Sequence, residues 1–156
     1  MNTLRDVNRV INTFQFKYGA MYRETSFEDI LAITTIEVLE PELYRWIGNN
    51  KEAVCGGFMH GFLSDSVNKI DYRKKYSEEF SSLGINPDKA INCIAAMFPV
   101  FAKDVNKNAF AYYSYSDIRS KMRVAYEGRF ELYFMYDLDD IKIPRNIINA
   151  CIYKLD

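Results

Sequence analysis

Apolar positions recur at helical spacing in segment after segment of this chain. In TLRDVNRVINTFQFKY (residues 3–18), Leu4, Val7, Ile11, Phe14 and Tyr18 fall at intervals of three and four, with Val10 beside them. That spacing predicts an amphipathic helix, with Arg5, Asp6, Asn8, Arg9 and Asn12 on its other faces. Thr3 is placed to cap the start, and Asp6 follows three residues later, a weaker relative of the capping box. Gly19 is the expected stop. Ser26 opens a second helix, again with an acid, Asp29, three residues on. Phe27, Ile30, Leu31, Ile33, Thr34, Ile36 and Val38 make it apolar on more than one face, which places it centrally. The β-branched run at 33–36 would also suit a strand, but length and cap favour a helix.

Pro41 starts a third helix, with Glu40 and Glu42 suited to its positive end and Leu43, Trp46 and Ile47 on its buried edge. Gly48, Asn49 and Asn50 close it. Residues 51–63 read as another helix, although Gly56, Gly57 and Gly61 each weaken it by about 1 kcal/mol relative to Ala. Residues 64–75, including the basic run at 73–75, read as a surface loop, followed by a helix at 76–83 that Gly84 ends. Asn86-Pro87-Asp88 combines a cap, a first-turn Pro and a first-turn acid, a strong helix start that Ala90, Ile91, Ile94, Ala95, Met97 and Phe98 carry to Pro99. Residues 105–115 form an Asn- and Tyr-rich connection. Ser116 and Asp117 open a helix through Met122 and Val124. RFELYFMY (129–136) fits strand and helix alike, until Asp137, Asp139 and Asp140 break it. Pro144 starts a last helix with the stripe Ile147, Ile148, Cys151, Ile152 and Leu155. The expected fold is mainly α, a compact multi-helix domain over residues 1–156 with about eight helices.

Composition narrows the function. A net charge of −1 gives no electrostatic footprint for nucleic acid or an anionic membrane. No apolar run approaches 18 residues, so no membrane insertion is expected, and the first 20 residues carry no secretory signal. Cys55, Cys93 and Cys151 are odd in number and set in apolar surroundings, as expected of buried thiols in a cytoplasmic protein. The 12 Tyr and 11 Phe suit core edges or an interface.

Catalytic motifs are scarce. His60, the single histidine, sits in a Gly-rich apolar stretch with no local orienting partner. No C-x-x-C pair suggests zinc. GGFMHG (56–61) looks like a phosphate loop, but Phe62 and Leu63 stand where a Walker A loop needs Lys and Ser or Thr. The chain is therefore not expected to hydrolyse ATP alone. Asp137, Asp139 and Asp140 lack the Gly and distal Glu of a calcium loop and read as a solvated turn. An enzymatic role would require a pocket with converging Tyr, Asp and Arg side chains.

Three segments, in order, resemble the C-terminal part of KAP-type P-loop NTPases, a STAND-like or AAA-like ATPase family. TLRDVNRVINTFQFKY resembles the family's T-P-R-D-hydrophobic-K-R segment and its helix. FEDILAITTIEVLEPELYRWIGNNKE resembles the next two helices. MFPVFAKDV and IRSKMRVAYEGRFELYFMYDL resemble the L-F-P, R-R-V/I and F-x-x-Y-F stretches. Leu4 stands where the family usually has Pro, Asn8 replaces a common Lys, and the Walker A and B segments have no counterpart. The resemblance implies lid-like helices over residues 1–63, a C-terminal helical part over 64–156, and a helical FELYF. It also implies a fragment, a split gene product or a stand-alone descendant of the lid. In such ATPases an Arg at the start of the lid often reaches the phosphates. Carried over, Arg5 is the first nucleotide-sensing candidate and Arg9 the second, with ATP and magnesium involved only when a P-loop core is supplied. The expected partner is that core or another protein, with self-association through the first helix as a further expectation. The alternative is a stand-alone interaction protein, such as a small phage or bacterial antagonist or immunity protein.

Overall fold

The structure is a computed structural model that describes residues 3–56, 71–105 and 114–135. These form eight α-helices: α1 Leu4–Met21, α2 Phe27–Leu39, α3 Pro41–Asn49, α4 Lys51–Cys55, α5 Tyr72–Ser82, α6 Pro87–Met97, α7 Pro99–Asp104 and α8 Tyr115–Ser120. A 3-10 turn, Phe130–Tyr133, follows, and no strand occurs among the described residues. The mainly helical fold is the one the periodicity predicts. Residues 57–63, His60, the loop at 64–70, the aspartates at 137–140 and the helix expected from Pro144 lie outside the described residues.

The helices pack in chain order at first: α1 on α2, α2 on α3, and α3 on α4. The path then turns back, with α7 on α4, α6 on α7 and α5 on α6. α2 is central, as its two-faced apolar pattern predicts; Ile30 and Ile33 are completely buried and Ile36 and Val38 nearly so. The β-branched run is helical. Leu43, Trp46 and Ile47 form the buried edge of α3, joined by Tyr44. Trp46 anchors an aromatic cluster, with ring centroids 5.7 Å from Tyr76 and 4.7 Å from Phe80. Its indole N–H donates to Glu79 Oε1 at 2.7 Å, which satisfies the polar end of an otherwise apolar side chain.

Several helix boundaries differ from expectation. α1 runs through Gly19 to Met21. Gly19 keeps helical backbone there, and a Cβ at that position would meet nothing within 4 Å. α4 stops at Cys55 because Gly56 takes φ +80°, a conformation that glycine adopts freely and side-chain-bearing residues only rarely. α5 begins at Tyr72, so the basic run at 73–75 is helical; Asp71 caps it by accepting from the Lys74 N–H at 3.1 Å. α8 begins one residue before the expected Ser116, with a full capping box between Ser114 and Asp117. It ends at Ser120, before Met122, which takes φ +54°. RFELYFMY yields the 3-10 turn. The expected caps at Thr3 and Asn86 are formed.

Candidate functional site

Two features of the first two helices bear on function: an exposed apolar face, and a set of buried polar contacts that hold α1 and α2 in place.

The buried side of α1 is not the side its apolar stripe predicts. Thr13, Lys17 and Met21 are buried, one helical turn apart, and Val10, Phe14 and Tyr18 lie half-buried beside them. The first half of the stripe points outward instead: Leu4 is 78% exposed, Val7 48% and Ile11 45%. Phe14 and Tyr18 stack at 5.3 Å, and both meet Phe27 of α2 edge-on, at 5.3 and 5.4 Å. Phe27 and Leu31, one turn apart on α2, are themselves partly exposed. The outcome is an apolar face that starts at Leu4, follows α1 through Ile11 and continues onto the start of α2.

Arg5 and Arg9 sit together, four residues apart, and both are exposed. Arg9 Nη1 lies 3.9 Å from Asp6 Oδ1. Hydrogen bonds from the Thr3 backbone and hydroxyl, more than that arginine, hold the Asp6 carboxyl below its usual range. At 100° per residue, the two arginines point about 160° away from Val7 and Ile11. The apolar face and the nucleotide-sensing candidates therefore look in nearly opposite directions.

Behind that face lies a buried ion pair. Lys17 Nζ donates to Glu37 Oε2 at 2.5 Å, with 0% and 6% of the two side chains exposed. The same ammonium lies over the Tyr44 ring, 5.3 Å from its centroid. One lysine thus joins α1, α2 and α3. Nearby, the Thr34 hydroxyl is buried and has no hydrogen-bond partner among the described residues.

A polar clasp closes the start of α2 against the segment after α8. Ser26 occupies the N-cap position, but its side chain does not cap; it donates to Glu28 Oε2 at 2.7 Å. The Ser26 backbone N–H donates instead to the Tyr133 hydroxyl at 2.7 Å, which in turn donates to the Met122 carbonyl at 2.5 Å. Asp29 turns inward, accepts from the Val124 N–H at 2.8 Å and pairs with Arg123 at 2.7 Å. Burial pushes the Asp29 carboxyl above its ordinary value, outweighing the Val124 hydrogen bond and the Arg123 charge. Burial likewise raises the Tyr133 phenol. Arg129 adds an outer tie, donating to the Glu24 carbonyl at 3.0 Å and pairing with its carboxylate.

Tyr133, Asp29 and Arg123 are the residue types that acid–base chemistry would use. Here the Tyr133 hydroxyl both donates and accepts internally, and each Asp29 oxygen has an internal partner, so the constellation works as a structural clasp. Cys55 is half-buried; its thiol points at the Val124 carbonyl at 3.8 Å, and burial pushes it up to about 12, which removes it as a nucleophile. Cys93, also half-buried, is raised by burial as well. No cluster of three His, Cys, Asp or Glu side chains suited to a metal occurs among the described residues. No described helix is long and apolar enough to cross a membrane.

Sequence reasoning placed Arg5 and Arg9 on the surface of α1 but missed Lys17, Asp29, Arg123 and Tyr133 as organisers. The one available signal was Lys17 itself, a charge at the i+4 position from Thr13 inside an aromatic-rich stretch. Comparisons with protein-family models, curated proteins and solved structures returned no match.

Proposed function

We propose that this chain is a non-catalytic helical module that works by protein contact, docking through the apolar face of α1 and the start of α2. The observation that carries this reading is the exposure of Leu4, Val7 and Ile11 on a helix whose other end is firmly anchored. A contiguous apolar face on a folded domain most often marks an interaction surface. The three-segment resemblance to KAP-type NTPases suggests the partner: a P-loop core, with this chain as its lid-like part. Arg5 and Arg9 remain nucleotide-sensing candidates only for a core that embraces α1 from both sides, because they point away from the apolar face.

The test is calorimetric titration of the chain into a purified KAP-type P-loop core, with ATPase rates measured in parallel. Val7→Asp/Ile11→Asp is expected to weaken binding by about tenfold or more, about 1.4 kcal/mol. Arg5→Ala is expected to leave affinity unchanged and to lower the ATPase rate. Binding indifferent to Val7→Asp/Ile11→Asp refutes the docking face. An unchanged rate removes Arg5 from the mechanism. No binding to the core, together with binding to a neighbour-encoded toxin through the same face, selects the alternative of a stand-alone antagonist.

A further inference from the structure

The outward face of α1 carries no charge. The charged side chains of this helix are Arg5, Asp6, Arg9 and Lys17. At 100° per residue, each of them lies at least about 120° round the helix from Ile11. The sector they leave free holds Leu4, Val7, Ile11 and the half-buried Tyr18, with the exposed Tyr22 just past the helix end. The amides Asn8, Asn12 and Gln15 border it on one side, and Phe27 and Leu31 of α2 on the other. Glu28, next to Phe27, is engaged by the Ser26 hydroxyl.

A face of this kind suits a second copy of itself. In a two-fold contact, each residue near the axis meets its own counterpart, so a charge there would face a like charge. The area is also sufficient. Leu4, Val7, Ile11, Tyr22, Phe27 and Leu31 together leave about three whole large side chains exposed, or roughly 600 Å². With the bordering amides, the face approaches the ~800 Å² per partner of a stable complex. The spacing fixes a register, because Ile11 stands midway between Leu4 and Tyr18. Antiparallel pairing about that point sets Ile11 on Ile11, Leu4 on Tyr18 and Val7 beside Gln15. It also places the Arg5 and Arg9 pairs of the two copies about 12 Å apart along the axis, beyond the ~8 Å screening length at physiological salt. Parallel pairing would instead gather all four arginines at one end.

We infer that in the free protein two copies of this chain pair through α1, antiparallel and two-fold symmetric about Ile11. This inference rests on the docking reading above and adds the occupant of the face when no other partner is present. A partner that uses the same face competes with the second copy, so it binds only the separated chain.

The test is sedimentation velocity of the full chain over a range of concentrations, with circular dichroism to confirm that each variant is folded. The parent should sediment at twice the 18.3 kDa of one chain. Ile11→Glu and Ile11→Lys, each alone, should weaken self-association by at least tenfold. An equimolar mixture of the two should restore the dimer, because position 11 meets itself. Leu4→Glu, at the most exposed of these side chains, should also weaken the dimer. Mixing it with Leu4→Lys should not restore association, since in the antiparallel register the two copies of position 4 lie about 21 Å apart along the axis. A parent that stays monomeric, a dimer indifferent to Ile11→Glu, or rescue by the Leu4 mixture overturns the inference. Titration of the chain with the P-loop core separates it from the docking reading. No complex refutes that docking partner, while the mass of the free chain decides the dimer independently. A complex that keeps both copies paired overturns the shared face.

Discussion

Lys17 and Glu37 offer the sharpest energetic test of how α1 is held. Their charged atoms meet at 2.5 Å with almost none of either side chain exposed. Charges so buried have lost their water, and their mutual attraction offsets that loss only while both are present. Lys17→Met or Glu37→Leu alone removes the opposite charge from a buried group and should cost about 3–5 kcal/mol. With a urea slope of about 2 kcal/mol per molar, the midpoint falls by about 2 M. Domains have only about 5–15 kcal/mol in total, so either single variant sits near the edge of folding. The double variant, Lys17→Met with Glu37→Leu, should recover to within about 1 kcal/mol of the parent or exceed it, because it replaces a desolvated pair with apolar packing. Equilibrium urea unfolding of the four chains closes the cycle. Single variants that each lose less than about 1 kcal/mol would show that water reaches the pair. A double variant as unstable as the sum of the singles would show that the charges do not compensate each other.

Two further predictions concern other parts of the fold. Burial raises the Asp29 carboxyl above its ordinary value of 3.8, so the folded chain holds this proton more tightly than the unfolded one. The contribution of Asp29 to stability therefore falls as pH rises from about 4 through the raised value. The stability of the parent minus that of Asp29→Asn should decrease with pH across this window; a difference that grows with pH contradicts the burial argument. Gly56→Ala should destabilise by about 1–3 kcal/mol in urea unfolding. Gly56 takes φ +80°, and a Cβ there would come within 3.3 Å of Val100 Cγ1; a neutral substitution would mean that α4 and α7 separate without cost.

What the sequence made legible was local. Thr3 with Asp6, and Asn86 with Pro87, announce helix starts because a cap and its target lie three residues apart. The buried edge of α3 was visible because three apolar residues share one face. The helix ends were less legible: Gly19 looked like a stop yet sits inside α1, while Gly56 ends α4 through a backbone conformation that no pattern announces. The rotation of α1 was hidden for a deeper reason. Its apolar stripe points partly outward because Lys17 turns inward to meet Glu37, 20 residues away. Asp29 looked like a capping acid at the third helical position, but its partners lie about 95 residues on. Contacts at such separation leave no periodic signature. The same reason explains why Tyr133, in a segment readable as strand or helix, gave no sign of its role.

The bond from the Ser26 N–H to Tyr133 spans 107 residues, and it sets an order of events during synthesis. α1, α2 and their connection emerge early, yet the buried backbone donor at the head of α2 has no protein partner until residue 133 has been made. At about 5–20 residues per second, that is a wait of roughly 5–20 s. During it the first helical hairpin must stay wet at one end, and its final closure is delivered by nearly the last described turn of the chain. A ribosome stalled anywhere in between would hold a chain whose first helical hairpin has been made but whose Ser26 N–H has not yet met Tyr133.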